Sequence, residues 1–257
     1  MTTLNRSNLN HLMRSWLPGT VAVQVWLSQQ GISPNLTNWY LKSGWLEAVG
    51  RGAYKRPGEV VTWSGGLYAI QQHLKKTIHV GARSALELMG RAHYVRLGAK
   101  GNFYFFGGKD ETLPAWFKES TLWDVTVKYF RTTIFSNNNT GLIEEIVDGV
   151  PILISAVERA IMEALYLVPK YQGLDEAYLL MQGLSTMRPK VIQELLENCC
   201  SIKVKRLFMH LAEIHDLPCL GHFNTSNINF GKGKRVIAGG GVYHAKYQLA
   251  LPKIREE

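Results

Sequence analysis

The sequence predicts an α+β protein, helical at its N-terminal end and mixed in strands and helices beyond it. Three observations carry that reading. Residues 4–57 hold three amphipathic helical stretches broken by short Pro, Gly and Ser turns, then two short β-type runs around a Gly-Arg-Gly turn. From about Val95 the pattern changes to short runs of aromatic and branched residues, at Phe103–Phe106, Val125–Phe130 and Val150–Ile154. After Ser155 the 3.6-residue periodicity returns in three helical stretches. Residues 1–94 are therefore expected to form one domain and 95–257 a second.

The first helix places Leu9, Leu12, Met13 and Trp16 on one face and stops at Pro18-Gly19. Thr20 is a candidate cap for a second helix carrying Val21, Val25, Trp26 and Leu27, ending near Gly31. Gly31-Ile32-Ser33 forms a tight turn. Ser33 is a good N-cap with Pro34 at the first helical position, so a third helix is expected over Pro34–Lys42, ending at Ser43-Gly44. In that helix Leu36, Trp39 and Leu41 are expected inside, and Asn35, Asn38 and Lys42 outside.

Trp45–Val49 and Ala53–Arg56 then read as two strands of a hairpin with Arg51 at its tip and Lys55 and Arg56 on its arm. A short turn between two helices, a polar second helix and a basic hairpin together make a winged helix-turn-helix. Its second helix is the element presented to the major groove. The side chains predicted to contact DNA are Asn35, Thr37, Asn38, Tyr40 and Lys42 on that helix, and Arg51, Lys55 and Arg56 on the wing. All are hydrogen-bonding or cationic groups suited to base edges or phosphates. The stretches Leu67–Leu74 and Ser84–Met89 extend the core of this domain, and His79 and His93 are read as structural histidines.

In the C-terminal half, Ser155 with Glu158 three residues later reads as a capping box opening a helix over Ala156–Leu167. Arg159 and Glu163, at i and i+4, read as a surface pair on it. Pro189 opens a helix to Asn198. Ser201 opens another to about His215, with Lys203, Arg206 and His210 expected outward and Lys205 beside them. Two further strands are expected around the Gly231–Arg235 loop and the Gly239–Gly241 turn.

The chain carries 29 Lys and Arg against 20 Asp and Glu, a formal +9. Residues 1–60 hold six basic against two acidic residues. Such a balance favours phosphate-bearing partners through counterion release without specifying sequence. Lys203, Lys205, Arg206, Lys232, Lys234 and Arg235 are candidates for a second basic face. Glu144, Glu145 and Asp148 fit no familiar metal or acid–base spacing and are read as a solvated loop.

No phosphate loop, catalytic triad or CxxC spacing is present, so neither a metal nor a cofactor is expected, and the protein is not read as an enzyme. Cys199, Cys200 and Cys219 are read as free thiols. The most apolar stretch, Pro151–Val168, is interrupted by Glu158, Arg159 and Glu163, and Met1–Asn10 lacks the pattern of a secretory signal. The expectation is a cytoplasmic protein with no membrane partner.

Several segments in order resemble the AbiEi antitoxin family. In the N-terminal half these are Gly44-Trp45-Leu46-Glu47 to Gly52-Ala53-Tyr54-Lys55, Trp63-Ser64-Gly65-Gly66-Leu67-Tyr68-Ala69-Ile70, and His79-Val80-Gly81 to Ser84-Ala85-Leu86-Glu87-Leu88-Met89-Gly90. In the C-terminal half they are Val150–Ser155 to Glu158-Arg159-Ala160, Val204–Phe208 and Gly231–Arg235. The resemblance implies the antitoxin of a type IV toxin–antitoxin system in phage abortive infection. In that family the winged helix represses the operon's own promoter at inverted repeats of double-stranded DNA. The C-terminal domain counters a nucleotidyltransferase toxin without a stable complex. Carried onto this chain, Asn35, Asn38, Lys42, Arg51, Lys55 and Arg56 would contact DNA, and the second basic cluster would form the antitoxin face. Two other readings stay open: a simple transcriptional regulator with a ligand-sensing or dimerising C-terminal domain, and a nucleic-acid-processing enzyme using Glu144, Glu145 and Asp148.

Overall fold

A computed structural model describes residues 3–91, 101–137, 139–237 and 241–253. His93, Asn138, Gly239, Gly240 and the expected domain boundary at 94/95 lie outside the described residues. In chain order the elements are α1 (Thr3–Ser15), β1 (Ala22–Val23), α2 (Gln24–Gln29), α3 (Pro34–Lys42), β2 (Glu47–Gly50) and β3 (Ala53–Lys55). Next come α4 (Trp63–Tyr68), a π-helical turn (Ala69–His73), β4 (His79–Val80), α5 (Ala82–Leu88), β5 (Asn102–Gly108), α6 (Ala115–Lys118) and β6 (Thr126–Thr132). Then follow β7 (Leu142–Val147), β8 (Val150–Ser155), α7 (Val157–Leu167), α8 (Leu174–Gln182), α9 (Pro189–Asn198) and α10 (Ile202–Ile214). The last strands are β9 (Arg235–Val236), β10 (Val242–His244) and β11 (Leu249–Leu251).

The chain forms two compact units and passes between them several times. The first comprises Met1–His79, Gly98–Arg131 and Glu144–Leu153; the second comprises Val80–Leu97, Thr132–Ile143 and Ile154–Glu257.

The first unit opens with a winged helix-turn-helix. Leu9, Leu12, Trp16, Ala22, Leu27, Ile32, Tyr40 and Leu46 form its core, with Trp26, Leu36 and Tyr54 packed against them. Its small sheet has the order β1-β3-β2, antiparallel throughout. The expected helix cap at Thr20 is not there. Thr20 donates to the Leu17 carbonyl at 2.6 Å, and Ala22 and Val23 pair with Tyr54 and Ala53. The branched run Thr20–Val23 favours an extended backbone, and an available wing edge to pair with decides the matter. The helix therefore starts only at Gln24.

A close backbone approach explains the glycine at position 65 in α4. A Cβ there would stand 1.9 Å from the Gly19 carbonyl oxygen, so the helix meets the Pro18-Gly19 turn backbone to backbone. The Val21 amide closes the contact on the Gly65 carbonyl at 3.2 Å. The π-helical turn aims the buried Gln71 amide at the sheet. Its Nε2 donates to the carbonyls of Ile78 and Leu153 at 2.8 and 2.9 Å, and its Oε1 accepts from the Leu153 amide at 2.9 Å. One side chain thereby satisfies backbone groups that a further strand would otherwise pair. Glu111 makes a comparable staple. It accepts from the Thr77 amide and hydroxyl at 2.7 and 2.6 Å and from the Gly108 amide at 2.9 Å. Burial raises its carboxyl, and these hydrogen bonds outweigh that, leaving it below the ordinary value.

The larger sheet has the order β6-β5-β4-β8-β7. Glu144, Glu145 and Asp148, expected in a solvated loop, belong instead to a hairpin. Asp148 and Gly149 take φ of 52° and 78° between β7 and β8, the positive-φ pair of a tight hairpin turn. Adjacent Glu144 and Glu145 point to opposite faces of β7, so they do not converge. Asp148 accepts from the Ser64 hydroxyl at 3.2 Å.

In the second unit, α7 is buried along nearly its whole length. Its N-cap is Ala156 without a side-chain cap, which corrects the capping box expected from Ser155 and Glu158. Ser155 donates instead to Glu163 at 2.7 Å, and Glu158 receives the Arg188 guanidinium at 2.8 and 2.9 Å. Burial raises the Glu158 carboxyl and the Arg188 hydrogen bonds outweigh it, holding it below its ordinary value.

Arg159 and Glu163 are not a surface pair: they are 3% and 0% exposed and bridged at 2.8 Å. Glu163 also accepts from the Ala82 amide at 3.1 Å, and Arg159 donates to the Thr140 carbonyl at 2.8 Å. Ala82 holds φ at 50° to make that contact, a conformation L residues rarely adopt. Ser201 caps α10 as expected, accepting from the Val204 amide.

Candidate nucleic-acid interface

Helix α3 begins and ends on local chemistry. Ser33 Oγ accepts from the Leu36 amide at 3.3 Å, and Pro34 occupies the first helical position. At the other end Gly44, at φ 71°, allows the Trp45 amide to reach the Tyr40 carbonyl at 2.8 Å and its own amide to reach Leu41 at 3.2 Å. These two bonds are the paired closure of a Schellman motif.

The inner face of α3 differs from the expected one. Tyr40 and Thr37 are fully buried, Leu36 and Leu41 are half-buried, and Trp39 faces solvent at 39% exposure. Thr37 donates to the Ser33 carbonyl at 3.1 Å, and burial raises the Tyr40 hydroxyl. Two of the side chains predicted to contact DNA, Thr37 and Tyr40, are thus interior groups that orient the helix. Asn35, Asn38 and Lys42 stand in solvent on its outer face.

On the hairpin, Arg51 is exposed at the tip. Lys55 and Arg56 are engaged within the domain. Lys55 Nζ contacts Glu47 Oε2 at 2.7 Å and the Glu59 carbonyl at 2.9 Å. Its hydrogen bond holds the Glu47 carboxyl below the ordinary value. Arg56 donates to the Met13 carbonyl at 3.1 Å and to that of Trp16, and lies over the Trp16 ring, 5.5 Å from its centroid. It therefore ties the wing arm to the end of α1.

The second basic cluster divides in the same way. Lys205 and Arg206, expected outward, are 3% and 2% exposed. Arg206 donates to four carbonyl oxygens, those of Phe230, Gly233, Gly231 and Gln248, at 2.8, 2.7, 3.1 and 3.4 Å. Lys205 reaches the Asn229 carbonyl at 3.0 Å. Lys203 donates to the Tyr166 and Val168 carbonyls at 2.6 and 2.5 Å, closing the C-terminus of α7 where helix carbonyls lack partners. The expectation fails because residues 229–237 and 241–251 cover this face of α10, and helical periodicity does not carry that information. Lys232, Lys234 and Arg235 remain exposed, with Lys234 over the Tyr243 ring at 5.2 Å.

Among the described residues no group of three or more His, Cys, Asp or Glu side chains is placed to hold a metal ion. No described helix is long and apolar enough to cross a membrane.

Two family models match the chain. Residues 5–97 match the N-terminal domain of the AbiEi antitoxin transcriptional regulators, and residues 100–252 match the AbiEi antitoxin transcriptional regulator of type IV toxin–antitoxin systems. The chain belongs to the AbiEi antitoxin family. The resemblance seen in the sequence is thereby shown, and with it the regulator and antitoxin class.

No curated protein matches this AbiEi chain in sequence. Among solved structures, it is similar to the crystal structure of the RV2827C protein from Mycobacterium tuberculosis, at 15% identity and a TM-score of 0.58. The match covers 97% of this chain and 92% of that one, and it shows a shared fold.

Proposed function

We propose that this AbiEi protein represses its own promoter through the winged helix of residues 1–94 and that its C-terminal part acts as the antitoxin against a nucleotidyltransferase toxin. The observation that carries the first half is the outer face of α3. Asn35, Asn38 and Lys42 stand free there on a helix whose opposite side is locked into the core, beside a hairpin tipped by Arg51. Asparagine amides pair with adenine edges in the major groove, and the two cations suit phosphates. The working DNA contacts in this reading are Asn35, Asn38, Lys42 and Arg51. Thr37, Tyr40, Lys55 and Arg56 support them from within. Lys232, Lys234 and Arg235 are the part of the second basic cluster open to a partner, and they form the proposed antitoxin face. The working location is the cytoplasm.

The test is a mobility-shift titration of the DNA upstream of the gene against unrelated duplex of equal length, at about 150 mM salt to suppress non-specific contacts. The expected result is at least tenfold tighter binding to the upstream DNA, centred on inverted repeats. Equal affinity for both duplexes contradicts the repressor reading. Co-expression with a nucleotidyltransferase toxin of a type IV system tests the antitoxin half, and a toxin equally lethal with or without this protein contradicts it.

A further inference from the structure

Trp39 is the large apolar side chain that the described residues of α3 leave in solvent. At 3.6 residues per turn, positions 35, 38, 39 and 42 fall within about 100° of the helix circumference. The indole thus stands in the same stripe as Asn35, Asn38 and Lys42. Its ring meets Tyr40 edge-on at 5.5 Å, and Tyr40 is sealed in the core, so the indole has a fixed neighbour at its base. Helix α3 contains no acidic residue, and the stripe ends in a cation, which suits a polyanion as the surface that covers it.

We infer that Trp39 is a specificity-determining residue that reads thymine through its C5-methyl group in the major groove. This inference rests on the reading of α3 as the recognition helix. Along the major-groove edges of the base pairs, hydrogen-bond donors and acceptors are matched by amides, and the thymine methyl is the apolar feature. An asparagine and an indole side by side at positions 38 and 39 therefore match the two edges of A·T pairs: the amide takes adenine N6 and N7, and the indole covers the methyl. Docking removes from water an apolar surface that the free protein leaves exposed, which favours the bound state wherever a methyl is present to meet it. The operator is thus expected to hold one or two A·T pairs in each half-site at positions where the methyl group itself is read.

The experiment uses the full-length protein and the duplex from upstream of its gene, with thymine partly replaced by uracil, which lacks only the methyl. Bound and free fractions are separated in a gel and cleaved at uracil. The wild-type bound fraction is expected to be depleted of uracil at one or two positions per half-site, each loss weakening binding by about fourfold. Trp39→Ala is expected to shift the same DNA but to lose that depletion, and Trp39→Phe to keep it. The inference is overturned, with the DNA-binding reading intact, in either of two cases. In one, Trp39→Ala gives the wild-type uracil pattern, as it would if the indole packed on a second copy of the chain. In the other, wild type prefers its upstream DNA yet tolerates uracil everywhere. If wild type does not prefer upstream DNA at all, both fall together.

Discussion

Arg159 Nε donates to Glu163 Oε1 at 2.8 Å in the interior of the second unit, one turn apart on α7. The pair is completed by Ser155, the Ala82 amide and the Thr140 carbonyl, and the guanidinium lies 4.8 Å from the centroid of the Phe135 ring. Removing one member strands the other's charge away from water. Glu163→Ala and Arg159→Ala are each expected to lower stability by about 3–5 kcal/mol, read as a fall in the urea midpoint. A midpoint within experimental error of wild type for Glu163→Ala would mean that the pair is not closed off from solvent.

The contact of Gly65 with Gly19 gives a second expectation. Gly65→Ala places a methyl 1.9 Å from a backbone oxygen that cannot turn aside, and is expected to cost about 1–3 kcal/mol or more. Gly101→Ala, where the added Cβ meets nothing within 4 Å, is expected to be nearly neutral and serves as the control. Equal melting temperatures for the two variants would contradict the close approach.

The ends of α3 were legible in the sequence because caps are local: Ser33-Pro34 and Ser43-Gly44 each act within one turn of themselves. Which side of α3 faces inward was not. Leu36, Trp39 and Leu41 look like the natural apolar set, yet Thr37 and Tyr40 are the fully buried pair, and Tyr40 shares one core cluster with Leu12, Trp16 and Leu27. Arg159 and Glu163 have the same spacing whether their face is wet or dry. The Ala82 amide and the Thr140 carbonyl, distant in sequence, are among the partners that make burial tolerable, and the spacing does not announce them. One signal was available and outweighed. Asp148-Gly149 between branched residues is a strong hairpin marker, but the neighbouring Glu144 and Glu145 gave the stretch the polarity of a loop.

Acid sensitivity follows from two histidines. His73 stacks on Trp26 with centroids 4.4 Å apart, and burial, aided by the charge of Lys75, pushes it down to about 4. His210 lies at about 4 through burial and the neighbouring His244, with Glu213 acting the other way. The unfolded chain binds these protons first, near pH 6.5, so the stability held above that pH is lost progressively as pH falls toward about 4. The urea midpoint is expected to drop between pH 7 and pH 5, before ordinary carboxylates titrate, and to drop less in His73→Phe. A midpoint flat across that window would contradict the placement of both rings.

Arg51 and Lys55 separate a DNA contact from an internal one. Arg51→Ala is expected to weaken binding to every duplex alike and to lower the slope of log affinity against log salt by about one. Lys55→Ala removes ties to Glu47 and the Glu59 carbonyl and is expected to loosen the hairpin. A salt slope unchanged by Arg51→Ala would exclude the hairpin tip from the DNA backbone.

Arg206 has a wider consequence. The strands it anchors, β9 to β11, are only two or three residues long, too short to organise themselves by pairing. One guanidinium gathering four carbonyl oxygens does so in their place, and Arg206→Met is expected to open the Phe230–Gly233 loop to limited proteolysis. The anchor grips main chain alone, so it is indifferent to which side chains the loop above it carries. Lys232, Lys234 and Arg235 can therefore be exchanged over generations without unseating the loop that displays them.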